Sequence, residues 1–211
     1  LWLALVAVAW RNPAAGLTVI AFAVPFEQRL SIPTDITSVT AMEYTVWAVA
    51  LGSIPRMARD RRLALDRVGA MHLAVVVALV ASMAAGGVRV STWWDVVQGW
   101  SLALLVYLIA RAALSDTRAR LVVVSALAAG VVTNAVVALW QRATEAGPES
   151  FVVGGALRVF GTFLHPNTLA AYLAFVLPLL LAASLVWQTP AAWLWRVAAA
   201  AGIVTLVMTQ S

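Results

Sequence analysis

Apolar residues form long blocks along this chain, and short polar or arginine-bearing stretches separate the blocks. Several blocks approach the length of about 20 residues that crosses a bilayer as a helix. We therefore expect an all-α, polytopic transmembrane helical bundle that forms a single domain over residues 1–211. Because both ends of the sequence lie in apolar runs, we also expect the N-terminal part of a longer protein. The pattern predicts eight helices, the first of them incomplete: Leu1–Trp10, Pro13–Phe26, Ile36–Ile54, Val68–Ala85, Trp93–Ala110, Leu121–Gln141, Thr168–Trp187 and Arg196–Gln210.

The amino-acid composition supports the membrane interpretation and excludes several chemistries. Hydrophobic residues make up 63% of the chain and charged residues 11%, whereas soluble domains carry about 45–50% and about 25%. The absence of Cys excludes disulfides and thiolate chemistry. The two histidines, His72 and His165, are too far apart in the sequence to suggest a histidine-rich metal site. We therefore expect neither a metal nor a cofactor.

The fourteen cationic side chains are all arginines, and their distribution predicts how the helices are oriented. Only Arg29, Arg89, Arg142 and Arg158 fall on one side of the predicted bundle. The positive-inside rule places the richer side in the cytoplasm. Because the arginines interrupt apolar blocks and form no basic stripe, the net charge of +5 does not indicate nucleic-acid binding. The connections on the richer side hold ten arginines: Arg11, Arg56, Arg59, Arg61, Arg62, Arg67, Arg111, Arg118, Arg120 and Arg196.

One long connection, residues 142–167, falls on the arginine-poor side, which is the periplasmic side in this orientation. It is rich in Gly and polar residues, and function concentrates in such loops. Asn167 or Thr168 is expected to cap the next helix, so that unpaired backbone N–H groups and the positive helix end face outward. Arg158 precedes that helix with no acidic residue after it, which predicts a site for a lipid-linked phosphate or pyrophosphate. The alternatives are that Arg158 reaches lipid headgroups and that Gly161 only makes a turn.

The end of this loop resembles a known sequence motif. Residues 158–173 read Arg-Val-Phe-Gly-Thr-Phe-Leu-His-Pro-Asn-Thr-Leu-Ala-Ala-Tyr-Leu. They are similar to a motif of the O-antigen ligase and polymerase superfamily, in which Arg, Gly-Thr-Phe and Pro-Asn lead from an outer loop into a membrane helix. Residues 204–211, Val-Thr-Leu-Val-Met-Thr-Gln-Ser, resemble the start of a second motif of this superfamily, in which Ser precedes an essential Arg.

The resemblance implies a metal-independent glycosyltransferase that moves a glycan from an undecaprenyl-pyrophosphate donor to an acceptor, either a growing glycan or a lipid A core. Such a protein is expected in the bacterial inner membrane, in contact with membrane lipid and with its active face in the periplasm. Arg158 is then the catalytic residue that binds the pyrophosphate. Ligases and polymerases share these motifs, so the choice between them stays open. The motif implies five substrate-binding residues: Arg158, Gly161, Thr162, Asn167 and Thr168.

Other roles and functions remain open from the residues alone. His165 is a second catalytic candidate, because His acts as a general base near neutral pH; a role at the helix start or at lipid headgroups is the other interpretation. A transporter of a small anion or sugar would use Arg158 and Glu43, an ionisable residue predicted inside the third membrane helix. A non-catalytic scaffold of an envelope complex is a third possibility. No internal repeat typical of transporters is visible, and the distinctive residues lie at the outer edge, which favours the enzyme.

Overall fold

The computed structural model describes residues 2–29, 31–33, 38–60, 65–86 and 90–210. Eight α-helices account for most of these residues, which confirms the all-α prediction. Three arginines of the predicted connections, Arg61, Arg62 and Arg89, lie outside the described residues. The helices are α1 Trp2–Arg11, α2 Pro13–Ala23, α3 Ala41–Arg59, α4 Arg67–Ala85, α5 Val90–Ala113, α6 Thr117–Thr144, α7 Pro166–Val186 and α8 Ala192–Thr209. Short antiparallel strand pairs and 3₁₀ helices complete the described part: β1 Ser31–Pro33 with β2 Ser38–Thr40, β3 Val152–Val153 with β4 Ala156–Leu157, and 3₁₀ helices Val24–Arg29 and Glu149–Phe151.

Five helical segments of the described chain are long and apolar enough to cross a membrane. α1 and α2 are also apolar but shorter, and α3 carries Glu43, Arg56 and Arg59 in its end turns. An apolar helix of this length satisfies all its central backbone groups internally, as a lipid environment requires. The five segments are Arg67–Ala85, Val96–Ala113, Thr117–Thr144, Pro166–Val186 and Ala192–Thr209.

The start of α3 lies later than predicted, at Ala41 rather than at Ile36, because Thr40 and Glu43 form a capping box. The Thr40 hydroxyl accepts a hydrogen bond from the Glu43 N–H at 3.2 Å, and the Glu43 carboxylate accepts one from the Thr40 N–H at 2.6 Å. Each bond satisfies a backbone donor that has no partner inside the helix. Glu43, expected inside the third membrane helix, lies in the first turn of α3, where its carboxylate closes the capping box.

The chain divides into two compact units. The first unit comprises Leu1–Ile20 with Ser31–Arg120, and the second comprises Ala21–Leu30 with Leu121–Ser211. In the first unit α3 packs against α1 and α5, and α4 packs against α5. Helices α1 and α3 approach closely at Gly52, where an added Cβ would lie 2.8 Å from the Ala9 Cβ. A residue without a side chain permits this close approach.

Helices α4 and α5 of the first unit run antiparallel and are joined by polar contacts. The Asp66 carboxylate accepts hydrogen bonds from the Tyr107 hydroxyl at 2.7 Å and from the Gly69 N–H at 2.8 Å, and lies 3.3 Å from the Arg111 guanidinium. These partners hold the pKa of Asp66 at about 2, below its usual value of 3.8; the Tyr107 hydrogen bond is the largest cause. One turn into α4, the His72 ring lies 2.9 Å from the Trp100 carbonyl oxygen. Asp66 therefore caps α4 and connects it to the end of α5.

Replacing Asp66 with Asn is expected to lower the thermal stability of the purified protein at pH 7. Because folding depresses the Asp66 pKa, the ionised carboxylate stabilises the fold above pH 3.8, and this contribution is lost as the pH falls towards about 2. The difference in melting temperature between wild type and Asp66→Asn should therefore shrink over that pH range. Asp60→Asn, at an exposed position just after α3, is the control. A difference that stays constant from pH 7 to pH 2 would contradict this account.

The second unit is built from α6, α7 and α8 around one apolar core. Trp195 of α8 is buried and donates from its indole N–H to the Ser125 hydroxyl of α6 at 3.2 Å. α8 approaches both neighbours at Gly202, where an added Cβ would lie 2.6 Å from Leu177 and 2.9 Å from Val131. Because side chains in such a core are closely packed, the three helices hold fixed positions. They therefore support the long loop that connects α6 to α7. Fully buried members of this core include Val131, Leu169, Leu173, Leu180, Trp195 and Ala199.

Candidate functional site

The long loop of the second unit covers residues 145–165, because α6 continues to Thr144 and α7 begins at Pro166. Its first half forms the β3–β4 hairpin, whose turn residues Gly154 and Gly155 have φ of +58° and +77°. This left-handed backbone suits glycine and is typical of tight hairpin turns. Beyond the strands, the Arg158 N–H donates to the Phe151 carbonyl at 2.9 Å. The hairpin therefore ends at Arg158, the first residue of the predicted motif.

A buried glutamine near the end of α6 holds the backbone of the turn that follows. Gln141 is 2% exposed. Its Oε1 accepts from the N–H groups of Phe160 at 3.1 Å and Gly161 at 2.9 Å, and its Nε2 donates to the Gly161 carbonyl at 2.8 Å. Each of these backbone groups would cost about 1–3 kcal/mol if it were buried without a partner. The Gln141 side chain thus provides hydrogen-bond partners for both the N–H groups and the carbonyl group of the turn.

A second buried amide, Asn134, holds the next residue of the same turn. It lies seven residues before Gln141, on the same face of α6. Its Oδ1 accepts from the Thr162 N–H at 3.0 Å, while its Nδ2 donates to the Gly130 carbonyl, also at 3.0 Å. The Thr162 hydroxyl donates to the carbonyl of Pro25. We refer to Asn134 and Gln141 as the amide cradle, because together they fix the backbone of residues 160–162.

At position 161, glycine is the one residue type that the turn accommodates without displacing a neighbouring atom. Its φ is +57°, and an added Cβ would clash with the Oδ1 atom of Asn134. The turn is therefore specified twice, by the backbone conformation and by the space that the cradle leaves.

Arg158 is half-buried between the ends of two helices. Its Nε donates to the carbonyl of Thr209 at 2.8 Å, and its Nη2 donates to Oδ1 of Asn167 at 2.7 Å. Thr209 is the last residue of α8, where the negative end of the helix dipole favours a cation. Two N–H···O bonds in different directions fix the plane of the guanidinium. Arg158 is thus held rigidly at the start of α7, as a binding arginine must be.

The first turn of α7 is capped by His165, so the prediction that Asn167 or Thr168 caps it is wrong. Pro166 takes the first helical position, which proline favours because its missing N–H is not needed there. His165 Nδ1 accepts from the Asn167 N–H at 3.1 Å, and the His165 carbonyl accepts from the N–H groups of Thr168 at 3.1 Å and Leu169 at 3.3 Å. The backbone donors that were expected to point outward are therefore paired with His165.

The predicted site residues fall into two groups. His165 and Asn167 are exposed, and with half-buried Arg158 they lie together where the loop meets α7. Gly161 and Thr162 are buried and bond to the cradle and to Pro25, so their observed contacts serve the turn. Thr168 contributes a backbone N–H to the His165 cap. Direct contact of the buried pair and of Thr168 with a substrate stays a prediction.

Sequence reasoning missed the two residues that organise this site. The hydrophobic pattern placed Asn134 inside a helix and Gln141 at its end, and it assigned neither residue a role in the loop. Their separation of seven residues, which places two amides on one face of an otherwise apolar helix, was the available signal. A buried amide in an apolar setting requires partners, and here the loop backbone provides them.

No protein-family model matches this chain, and no curated protein or solved structure matches it either. The likeness to O-antigen ligases and polymerases therefore rests on the motif residues themselves, and their geometry carries the functional proposal.

Proposed function

We propose that this chain is a multi-pass protein of the bacterial inner membrane, with loop 145–165 on the periplasmic side. The five long apolar helical segments support the membrane placement. So does Phe175 near the middle of α7, which is 84% exposed and suits contact with lipid rather than with water. The arginine distribution supports the orientation, because the richer side is expected in the cytoplasm.

Its function, in this proposal, is the transfer of a glycan from a polyprenyl-pyrophosphate carrier to an acceptor sugar. The observation that supports this proposal is the fixed position of Arg158 between the end of α8 and Asn167. Arg158 belongs to the motif that resembles those of O-antigen ligases and polymerases. A planar guanidinium donates two parallel hydrogen bonds to phosphate oxygens, and a lipid-linked pyrophosphate arrives at the depth where a membrane helix begins. Transfer to a lipid A core and transfer to a growing polymer both fit this site.

The chemistry required of the site is stabilisation of a leaving group. The acceptor hydroxyl attacks the anomeric carbon, the bond from that carbon to the pyrophosphate oxygen breaks, and the pyrophosphate leaves with the electron pair while the hydroxyl proton passes to water. Negative charge therefore grows on the pyrophosphate in the transition state. A cation whose orientation is already fixed stabilises this charge without reorganising, which is the most effective form of electrostatic catalysis. Arg158 has that role here.

His165 is suited to donate a hydrogen bond rather than to remove a proton. Its Nδ1 accepts the Asn167 N–H, so the proton of the neutral ring resides on Nε2. The imidazole is exposed and lies 5.2 Å, between ring centres, from Phe151. An Nε2–H group beside Arg158 can bind a phosphate oxygen, whereas a general base needs a free lone pair. We therefore assign His165 the role of binding the pyrophosphate and not that of deprotonating the acceptor hydroxyl.

Arg158→Lys tests this proposal, because it keeps the charge but removes the planar fork. In cells that lack their own copy of the gene, glycan transfer is expected to fall about ten- to hundredfold, the equivalent of one hydrogen bond to a charged group. Lipid-linked precursor should accumulate at unchanged protein level. Arg142→Lys is the matched control, since Arg142 is exposed in the same region and bonds only weakly to the Leu157 carbonyl at 3.4 Å. Wild-type transfer by Arg158→Lys would overturn the proposal.

A further inference from the structure

The tip of the β3–β4 hairpin projects away from the second unit. Val152 is 48% exposed and Val153 is 52% exposed. Neighbouring residues of a strand point to opposite faces, so the tip is covered on neither face. An added Cβ at Gly154 or Gly155 would meet no atom within 4 Å. Two large apolar side chains are thus presented at the end of a free-standing turn.

The base of this hairpin is fixed at the level where α7 begins. Leu157 is 4% exposed, and the Phe151 ring lies 5.4 Å from Phe160 and 5.2 Å from His165, the cap of α7. A strand rises about 3.3 Å per residue, so Val153 lies within about 7 Å of that level. The interfacial layer on each side of a bilayer is about 5–8 Å thick. The length of the hairpin therefore keeps its tip within or next to this layer.

The chemistry of the tip matches a lipid interface. Residues 150–157, Ser-Phe-Val-Val-Gly-Gly-Ala-Leu, carry no charge. Two further exposed apolar residues lie at the same end of the unit: Trp140, which is 58% exposed and precedes Gln141 of the cradle, and Leu164, which is 56% exposed and precedes His165. Tryptophan is favoured at membrane interfaces. The apolar tip thus lies at the same end of the unit as these exposed apolar side chains.

We propose that the β3–β4 hairpin inserts its Val152–Val153 tip into the interfacial lipid at the end of α7. This inference rests on the proposed membrane placement but not on the glycan-transfer activity. Insertion removes the exposed apolar surface of Val152 and Val153 from water, which stabilises the inserted position.

Site-directed spin labelling tests this placement directly, because the chain contains no Cys. Single-cysteine variants Val152→Cys and Val153→Cys carry a nitroxide in vesicles of phosphatidylethanolamine and phosphatidylglycerol. Collision with oxygen, which concentrates in lipid, is compared with collision with a water-soluble nickel chelate. Phe175→Cys provides the lipid reference, and Gln188→Cys, in the exposed connection between α7 and α8, provides the aqueous reference.

The oxygen-to-nickel ratio at one or both tip positions is expected to be several-fold above that of Gln188→Cys and close to that of Phe175→Cys. A ratio equal to the aqueous reference at both positions would overturn the proposal. So would labels that are immobilised and shielded from both reagents, since that result indicates a protein partner. If Phe175→Cys itself behaves as aqueous, the membrane placement fails, and this outcome is distinct from failure of the hairpin alone.

Discussion

Gly161→Ala is expected to destabilise the protein by about 2–5 kcal/mol and to lower glycan transfer about a hundredfold. A left-handed backbone costs a residue with a Cβ about 1–2 kcal/mol, and overpacking a buried site costs about 1–3 kcal/mol. The new methyl group would clash with Asn134 Oδ1, which accepts the Thr162 N–H. Displacing that oxygen moves the turn, and a shift of about 1 Å in a positioned group reduces rate by about a hundredfold.

Gly154→Ala separates the two causes of that effect. Gly154 has a φ of +58°, nearly that of Gly161, but an added Cβ there would meet no neighbouring atom. This control should therefore lose only the backbone contribution of about 1–2 kcal/mol and should retain transfer. The measurements are the melting temperature of the purified protein in detergent and glycan transfer in cells. Equal losses in the two variants would show that the clash with Asn134 is unimportant.

Gln141→Leu is expected to cost at least about 3 kcal/mol of stability. Leucine has a similar volume but leaves the N–H groups of Phe160 and Gly161 and the carbonyl of Gly161 buried without partners. Each such group costs about 1–3 kcal/mol. Proteolysis within loop 145–165 should become faster as the turn opens, and the melting temperature should fall.

Two further variants test whether the stability lost in Gln141→Leu comes from the hydrogen bonds of the Gln141 amide. Gln188→Leu makes the same chemical change at an exposed position of the second unit and should leave the melting temperature nearly unchanged. Gln141→Glu keeps an acceptor for both N–H groups but loses the donor to the Gly161 carbonyl, so its stability should lie between wild type and Gln141→Leu. A Gln141→Leu protein as stable as Gln188→Leu would show that the cradle does not hold the turn.

The helical layout of the chain was predictable because it depends on short-range chemistry. Long apolar blocks form helices in any membrane-like core, and the positions of α4 to α8 follow the predicted blocks closely. The start of α3 was misplaced because the apolar pattern says nothing about caps. Thr40 and Glu43, three residues apart, formed a capping-box pattern that the hydrophobic pattern obscured.

The site was predictable only in part, because its supports are distant in sequence. The residues of the motif, including Arg158 and His165, are contiguous and therefore visible. Gln141 lies 20 residues from Gly161, and the acceptor of the Arg158 Nε, the Thr209 carbonyl, lies 51 residues away. Every residue has a backbone carbonyl, so the residue type at position 209 does not indicate that its carbonyl accepts from Arg158. The cap of α7 was misassigned since His165 is an uncommon capping residue.

The hydrogen bond from the Thr162 hydroxyl to the Pro25 carbonyl has a consequence for biosynthesis. Its partners are separated by 137 residues, and the segment Ala21–Leu30 belongs to the same unit as Leu121–Ser211. At about 5–20 residues per second, the ribosome adds Thr162 roughly 7 to 27 s after Pro25. The early segment must therefore wait for its partner while the intervening helices are synthesised. A protein expressed from Leu121 onward would lack the Pro25 carbonyl that accepts from the Thr162 hydroxyl, and supplying Ala21–Leu30 as a separate piece should restore this hydrogen bond.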